Sequence, residues 1–208
     1  MTSARTYQRS EAVVFRKTQE VFGGLSNMAP GFPLVVAGVR IRTSEALYQA
    51  CRFPADPELQ RMIIEERSPM TAKMKSKPYR SKSRPDWDAI RVDVMRWCLR
   101  VKLAQNFDSF GELLLSTDDK PIVEESRKDA FWGARPRDDG SLVGRNVLGR
   151  LLMELREELR LQPGSLRGVR PPDIVEFLLL GEQIGPPGAD RAPYEPPLEL
   201  FASSAGRK

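Results

Sequence analysis

Apolar positions fall in short runs near the amino end and recur at spacings of three and four further along, which predicts short strands first and helices afterwards. Residues 12–15 read as a strand, and 34–36 and 39–41 as two strands flanking a turn at Ala37-Gly38. Ser44 is placed to cap a helix beginning at Glu45 that carries Leu47, Ala50 and Cys51 inward. Asp56-Pro57 and Ser68-Pro69 each join a capping side chain to a first-turn proline, so each predicts a helix start. After Asp86, the residues Trp87, Ile90, Val94, Trp97, Cys98 and Val101 recur at helical spacing. Asp108 reads as the cap of a further helix ending near Ser116, and a last helix over 146–161 carries Leu148, Leu151, Leu152, Leu155 and Leu159. The pattern predicts an α+β domain over residues 1–162, mainly helical, with a small antiparallel or mixed sheet.

Beyond Gln162 the composition changes. Residues 163–208 hold eight prolines and six glycines, which reads as a mostly extended Pro/Gly-rich C-terminal extension laid over the domain. Within it, 173–180 is a short helix candidate capped by Asp173. No apolar run is long enough for a membrane helix and the first ten residues are polar, so a cytoplasmic protein without a membrane partner is expected. There is no histidine, which removes His-based catalysis and His-ligated zinc. The two cysteines, Cys51 and Cys98, lack metal-ligand spacing and are expected as buried free thiols. Between Arg67 and Lys102 there are eleven Lys or Arg against three acids. This strip, with Lys73, Lys75, Lys77, Arg80, Lys82 and Arg84 at its centre, suits phosphate in nucleic acid or in a small molecule; the other reading is a solvated face offset by acids elsewhere.

Four stretches carry candidate chemistry. Gly23-Gly24-Leu25-Ser26-Asn27 combines glycines that admit close backbone approach with the hydrogen-bonding side chains of Ser26 and Asn27, and is also consistent with a plain turn. The run 43–49 sets Glu45 in a first helical turn with Tyr48 on the same face. Asp129, Trp132 and Gly133 suit a pocket that stacks a base or sugar and holds a charge, or a buried structural Trp. Residues 140–149 run from a glycine-bearing loop into a helix, a geometry whose free amides receive phosphate, here offered by Gly144 and Asn146; a plain helix-start loop is the alternative.

Taken together, residues 12–161 resemble the NADAR superfamily, also called YbiA-like. The resemblance rests on Leu25-Ser26-Asn27, Thr43-Ser44-Glu45 with Tyr48-Gln49-Ala50, Ser68-Pro69-Met70 with Ala72-Lys73, Trp87-Asp88, Val94-Met95-Arg96, Lys102-Leu103 with Gln105-Asn106, Leu113-Leu114-Leu115, Asp129 with Trp132-Gly133, and Gly144 with Asn146, Leu148-Gly149 and 152–156, in order over some 150 residues. It implies an N-glycosidase acting at the anomeric carbon of a phosphorylated ribose. Known family activities include breakdown of phosphorylated intermediates of early riboflavin biosynthesis and removal of ADP-ribose from guanine bases of nucleic acid. The chain departs from the family at Ala46, where members often carry His, and at Arg16, where the first strand often ends in Tyr.

Breaking an N-glycosidic bond builds positive charge on the ribose and requires the leaving base to be protonated or strongly hydrogen-bonded. Glu45 and Asp129 are the expected carboxylates, Glu45 leading because burial readily raises a glutamate pKa. A desolvated lysine forming a Schiff base with ring-opened ribose is a second route, with Lys102 the candidate and Lys17 and Lys73 its rivals. Trp87, Trp132 and Tyr48 are expected to line the ligand site; Asn27, Ser26 and Asn146 to bind hydroxyls or phosphate; and Arg16 to meet a phosphate or to mark a different substrate. No cofactor and no metal are expected. The first functional expectation is removal of ADP-ribose from ADP-ribosylated guanine, with nucleic acid docking on Lys73 to Lys102. The alternatives are an N-glycosidase on phosphorylated riboflavin-biosynthesis intermediates and a non-catalytic NAD or ADP-ribose binding module.

Overall fold

Among the described residues, six α-helices are threaded between four small β-sheets, and the sheets bring distant segments together. The structure, a computed structural model, describes residues 3–185. Strand β1 (Arg5–Gln8) leads through a 3₁₀ turn to β2 (Val13–Phe15), and β3 (Leu34–Val36) and β4 (Val39–Ile41) form a hairpin. Helices α1 (Ser44–Ala50), α2 (Pro57–Glu65), α3 (Pro69–Ser76), α4 (Trp87–Gln105) and α5 (Phe107–Leu115) follow. Then come β5 (Ile122–Glu124), β6 (Arg135–Pro136), β7 (Ser141–Gly144), α6 (Val147–Leu161) and a closing hairpin of β8 (Leu178–Leu179) and β9 (Glu182–Gln183). The architecture is the expected mainly helical α+β domain. The described helices include none long and apolar enough to cross a membrane.

Local chemistry explains most helix starts. Asp56 accepts from Leu59 N–H at 3.0 Å and Ser68 from Thr71 N–H at 3.2 Å, each ahead of its proline. The α1 cap is Thr43, whose hydroxyl accepts from Ala46 N–H at 3.2 Å; the expected cap, Ser44, is already helical and donates to the Asn27 carbonyl at 3.0 Å. Asp86 precedes α4 without capping it, because its carboxylate is taken by Arg84. Asn106, not Asp108, precedes α5. The turn at Ala37 (φ 49°) and Gly38 (φ 73°) has both central residues left-handed, the type I′ arrangement that matches strand twist.

Two pairings were not legible as local patterns. Strand β2 runs parallel to β5, with Phe15 opposite Glu124, and β1 runs antiparallel to β7 across more than 130 residues. The second makes Ser141–Gly144, expected as part of a loop, the central strand β7 between β1 and β6. The core is continuous through α4, α6, α1 and the β3–β4 hairpin, with Leu47, Val94, Cys98, Leu103, Leu148 and Leu152 fully enclosed. Both cysteines are buried and free.

The domain also extends past residue 162. Leu166, Val169, Phe177, Leu179 and Ile184 belong to the same core, and the Phe177 ring meets Trp97 edge-on at 5.0 Å. Gln60, wholly buried, donates to the Leu178 carbonyl at 2.9 Å and accepts from Leu180 N–H at 2.6 Å. Arg84 donates to the Val175 carbonyl at 2.8 Å. No helix forms over 173–180: Glu176 and Leu180 have positive φ, and Leu178–Leu179 pairs with Glu182–Gln183. The remaining part of the extension, 186–208, lies outside the described residues. Because Phe177 is a buried core ring, Phe177→Ala should cost about 3–5 kcal/mol of unfolding free energy, read by urea denaturation. An exposed tail residue would cost almost nothing.

Candidate functional site

The site begins at the first turn of α1. Glu45 is only 2% exposed, and its amide donates to the Asn27 carbonyl at 2.9 Å. Asn27 Nδ2 returns a short hydrogen bond to Glu45 Oε2, and Gln49 Nε2, one turn on, donates to Oε1 at 2.9 Å. Lys73 Nζ approaches Oε1 to 4.0 Å from α3. Burial raises the Glu45 pKa, and Lys73, Gln49 and Asn27 pull against that rise.

A second carboxyl, unanticipated in the sequence, lies close enough to feel the charge of this group. Glu124 ends β5, and burial pushes its pKa up to about 7; Lys73 opposes the rise, while the charges of Glu45 and Asp129 add to it. The three acids and Lys73 therefore act on one another as one cluster. Glu124 comes from a three-residue strand whose own pattern shows only an acid after two apolar residues. Its placement depends on the β2 pairing and on Asn146.

Asn146 is built into the scaffold. It adopts φ 47°, ψ 47°, donates to the Ile122 carbonyl at 2.8 Å and accepts from Glu124 N–H at 3.1 Å. Its side chain is therefore committed to β5 and does not serve as the expected hydroxyl or phosphate ligand. Nor are the first amides of α6 and of the two residues before it free. Arg145, Asn146, Val147 and Leu148 N–H donate to the carbonyls of Ala130, Gly133, Phe131 and Trp132 at 2.7–3.1 Å. The expected phosphate loop is thus closed by protein carbonyls. Gly133 and Gly144 are packing positions: a Cβ at Gly133 would lie 2.5 Å from the Glu124 carbonyl oxygen, and one at Gly144 would lie 2.4 Å from the Gly133 carbonyl oxygen.

Asp129 accepts from Phe131 N–H at 2.9 Å and Trp132 N–H at 3.0 Å, so one of its oxygens shapes the turn that presents the rings. Tyr48, Trp87, Trp132 and Phe131 form a continuous aromatic wall, with successive contacts at 5.0 Å from Tyr48 to Trp87, 5.6 Å from Tyr48 to Trp132 and 5.1 Å from Trp132 to Phe131. Burial, and then the Glu45 charge, pushes the Tyr48 phenol far up, so it stays neutral. Ala46, at the place of the family histidine, is buried.

Lys102 stands behind this arrangement. It is 1% exposed, and Nζ donates to the carbonyls of Gly24 at 2.6 Å and Ser26 at 3.0 Å. The rings of Phe110 and Phe32 lie 4.1 and 4.5 Å away. Burial drives its pKa well down, yet the head group is enclosed and bonded to backbone, which gives a substrate carbonyl no approach. The geometry makes it an anchor for the loop that carries Asn27, and Lys73 is the lysine at the carboxylates. Ser26 Oγ accepts from Met28 N–H at 3.2 Å within that loop. Arg16 is exposed and lies 3.8 Å from Glu125, the residue after Glu124. Among the described residues no group of three Cys, Asp or Glu side chains is arranged to hold a metal ion.

The family model for the NADAR domain matches residues 14–160. A riboflavin biosynthesis protein of Vibrio vulnificus is 39% identical over 150 residues, which cover 72% of this chain and 39% of that protein, so the chain spans about two fifths of that relative's length. The N-glycosidase YbiA of Escherichia coli is 36% identical over 148 residues, covering 71% of this chain and 88% of YbiA. The NMR structure of E. coli YbiA aligns with a TM-score of 0.61 at 36% identity, over 75% of this chain and 92% of that one. The site's Asn27–Glu45 pair, β5 and the start of α6 all fall within the matched region, and the chain belongs to the NADAR domain family, with the fold of YbiA.

Proposed function

We propose that this protein is an N-glycosidase that hydrolyses the bond between a base nitrogen and C1′ of a phosphorylated ribose. The observation that carries the reading is the pairing of two mutually repelling carboxyls, the buried Glu45 and the half-buried Glu124, beside Lys73 and an aromatic wall. The names of the relatives, an N-glycosidase and a riboflavin biosynthesis protein, support it.

The two carboxyls divide the work by environment. Glu45 has two side-chain amide donors and a nearby ammonium, which favour its carboxylate form. Glu124 has a pKa of about 7 and is the protonated partner. The Glu124 proton goes to the base nitrogen as the C1′–N bond breaks and its electron pair leaves with the base. The Glu45 carboxylate faces the positive charge that builds on the sugar and takes the proton of the water that forms the new C1′–O bond. The products are the free base and the ribose bearing an anomeric hydroxyl; the proton now on Glu45 returns to Glu124 directly or through solvent.

For the substrate, we favour a small phosphorylated metabolite of the riboflavin-intermediate type over ADP-ribosylated guanine in nucleic acid. Four of the six cations at the centre of the basic strip are offset by acids: Lys73 by Glu45, Lys75 by Glu66 at 2.7 Å, Lys82 by Asp56 at 2.8 Å and Arg84 by Asp86 at 2.6 Å. Such pairing removes much of the net field that would hold a polyanion. The nucleic-acid reading keeps the support of the exposed Lys77 and Arg80, and it predicts a distinct salt response. Raising salt from 50 to 200 mM would weaken a multi-phosphate contact by orders of magnitude, whereas the metabolite reading expects a change of a few-fold in KM.

Glu45→Gln and Glu124→Gln should each lower kcat by about a hundredfold or more, measured as base release from the phosphorylated pyrimidine intermediate of riboflavin synthesis. Full turnover in either variant would remove that residue from the chemistry. The wild-type rate should also fall as pH rises through about 7, the pKa of Glu124, a limb absent from whatever activity Glu124→Gln retains. Stability carries the same signature. A carboxyl raised from 4.5 to about 7 takes up a proton on folding, so its contribution is lost as pH climbs through that window. Glu124→Gln should therefore flatten the slope and gain about 1–3 kcal/mol over wild type at pH 8, read by urea denaturation.

A further inference from the structure

Arginines flank the aromatic wall: Arg52 lies at its Trp87 end, the turn bearing Arg80 is tied to Arg52 through Ser83, and Arg91 follows Trp87 by one turn of α4 and reaches the Phe131 end. Arg52 follows α1, and its guanidinium lies 5.6 Å from the Trp87 ring centre and 5.8 Å from that of Phe53. Its Nε donates to Ser83 Oγ at 2.6 Å, which fixes the fork. Arg91 lies one helical turn after Trp87 on α4, with its guanidinium 4.0 Å from the Phe131 ring centre. Its Nε is buried without a hydrogen-bond partner. Arg80 comes from the exposed 3₁₀ turn Lys77–Lys82. Burial lowers the Arg52 pKa first; Arg80 and Arg91 lower it further, against the opposing pull of Tyr48 and Asp88.

The cluster is under-compensated. Among the described residues neither Arg52 nor Arg80 has a carboxylate within ion-pair distance. Arg91 has one, Asp88 at 3.6 Å, on a side chain 89% exposed. Like charges gathered in this way repel unless an anion joins them, and planar forks held against rings match phosphate oxygens. The wall continues from Trp87 to Tyr48, one turn from Glu45, so a ligand lying along it would run from the arginines to the carboxyls.

We infer that Arg52, Arg80 and Arg91 form an anion subsite that receives the phosphate group of the substrate while the glycosidic bond lies at Glu45 and Glu124. The inference rests on the N-glycosidase reading only for the identity of the rest of the ligand. It adds Arg52, which stands outside the basic strip, and separates the phosphate site from the closed start of α6.

The test is calorimetric binding of ribose 5-phosphate and of ribose to the full chain, in wild type, Arg91→Gln and Asp88→Asn, with thermal melts to confirm folding. Wild type should bind ribose 5-phosphate at least tenfold more tightly than ribose. Arg91→Gln should lose about tenfold to a hundredfold of that affinity, as expected for a charge-assisted contact. Asp88→Asn, at an exposed position, should gain affinity because it removes the competing carboxylate. Equal binding of the two sugars, no measurable binding of ribose 5-phosphate, or wild-type affinity in both variants would overturn the subsite. Binding that follows the predicted order without base release in a separate turnover assay would instead overturn the N-glycosidase reading and leave the anion subsite standing.

Discussion

A glutamate carboxyl at 2% exposure is the constraint on which the rest of the site depends. Removing such a group from water is costly unless hydrogen bonds and opposite charge replace the solvent. Here the replacement comes from three separate elements: Asn27 on the glycine-rich loop, Gln49 one turn along α1, and Lys73 on α3. Each must in turn be held. The loop is pinned by the Lys102 ammonium on two of its carbonyls, and α1 is tied to it by the Glu45 amide and the Ser44 hydroxyl, both donating to the Asn27 carbonyl. Lys102 buried without a carboxylate is tolerable because carbonyl dipoles and the faces of Phe32 and Phe110 take the place of water.

The opposite side of the site is secured with equal economy of parts. Asn146 in a left-handed conformation bridges Ile122 and Glu124, and the amides that begin α6 bind the carbonyls of residues 130–133. This locks the turn bearing Asp129, Phe131 and Trp132 to the strand that delivers Glu124. The glycines at 133 and 144 permit the backbones to approach at distances that no side chain would allow. Helix-start geometry that elsewhere binds anions is here spent on rigidity, and anion recognition is shifted to arginine forks on the aromatic wall.

Much of the scaffold was legible because its causes are local. The caps at Asp56 and Ser68, the type I′ turn at Ala37-Gly38 and the helical repeat from Trp87 are set by residues a few positions apart. The exposed acid Asp86 misled the cap assignment because a neighbouring arginine competed for it, and Ser44 because Thr43 was equally able to cap. The Pro-rich stretch after 162 was read as a tail because prolines argue against helices. They do not argue against burial, and Phe177, Leu179 and Ile184 enter the core as a hairpin.

By itself the sequence determined the helical frame and singled out the candidate carboxylate Glu45 and the aromatic residues Tyr48, Trp87 and Trp132, the first three by residue type and helical phase and Trp132 by its place beside Asp129 and Gly133. Tertiary structure alone decided that Glu124 joins Glu45, that Lys73 and not Lys102 stands beside them, and that Asn146 is structural. The physical reason is that a carboxyl's chemistry depends on its burial and on its neighbours' charges, and those neighbours arrive through β2–β5 pairing and helix packing between segments separated by up to about a hundred residues.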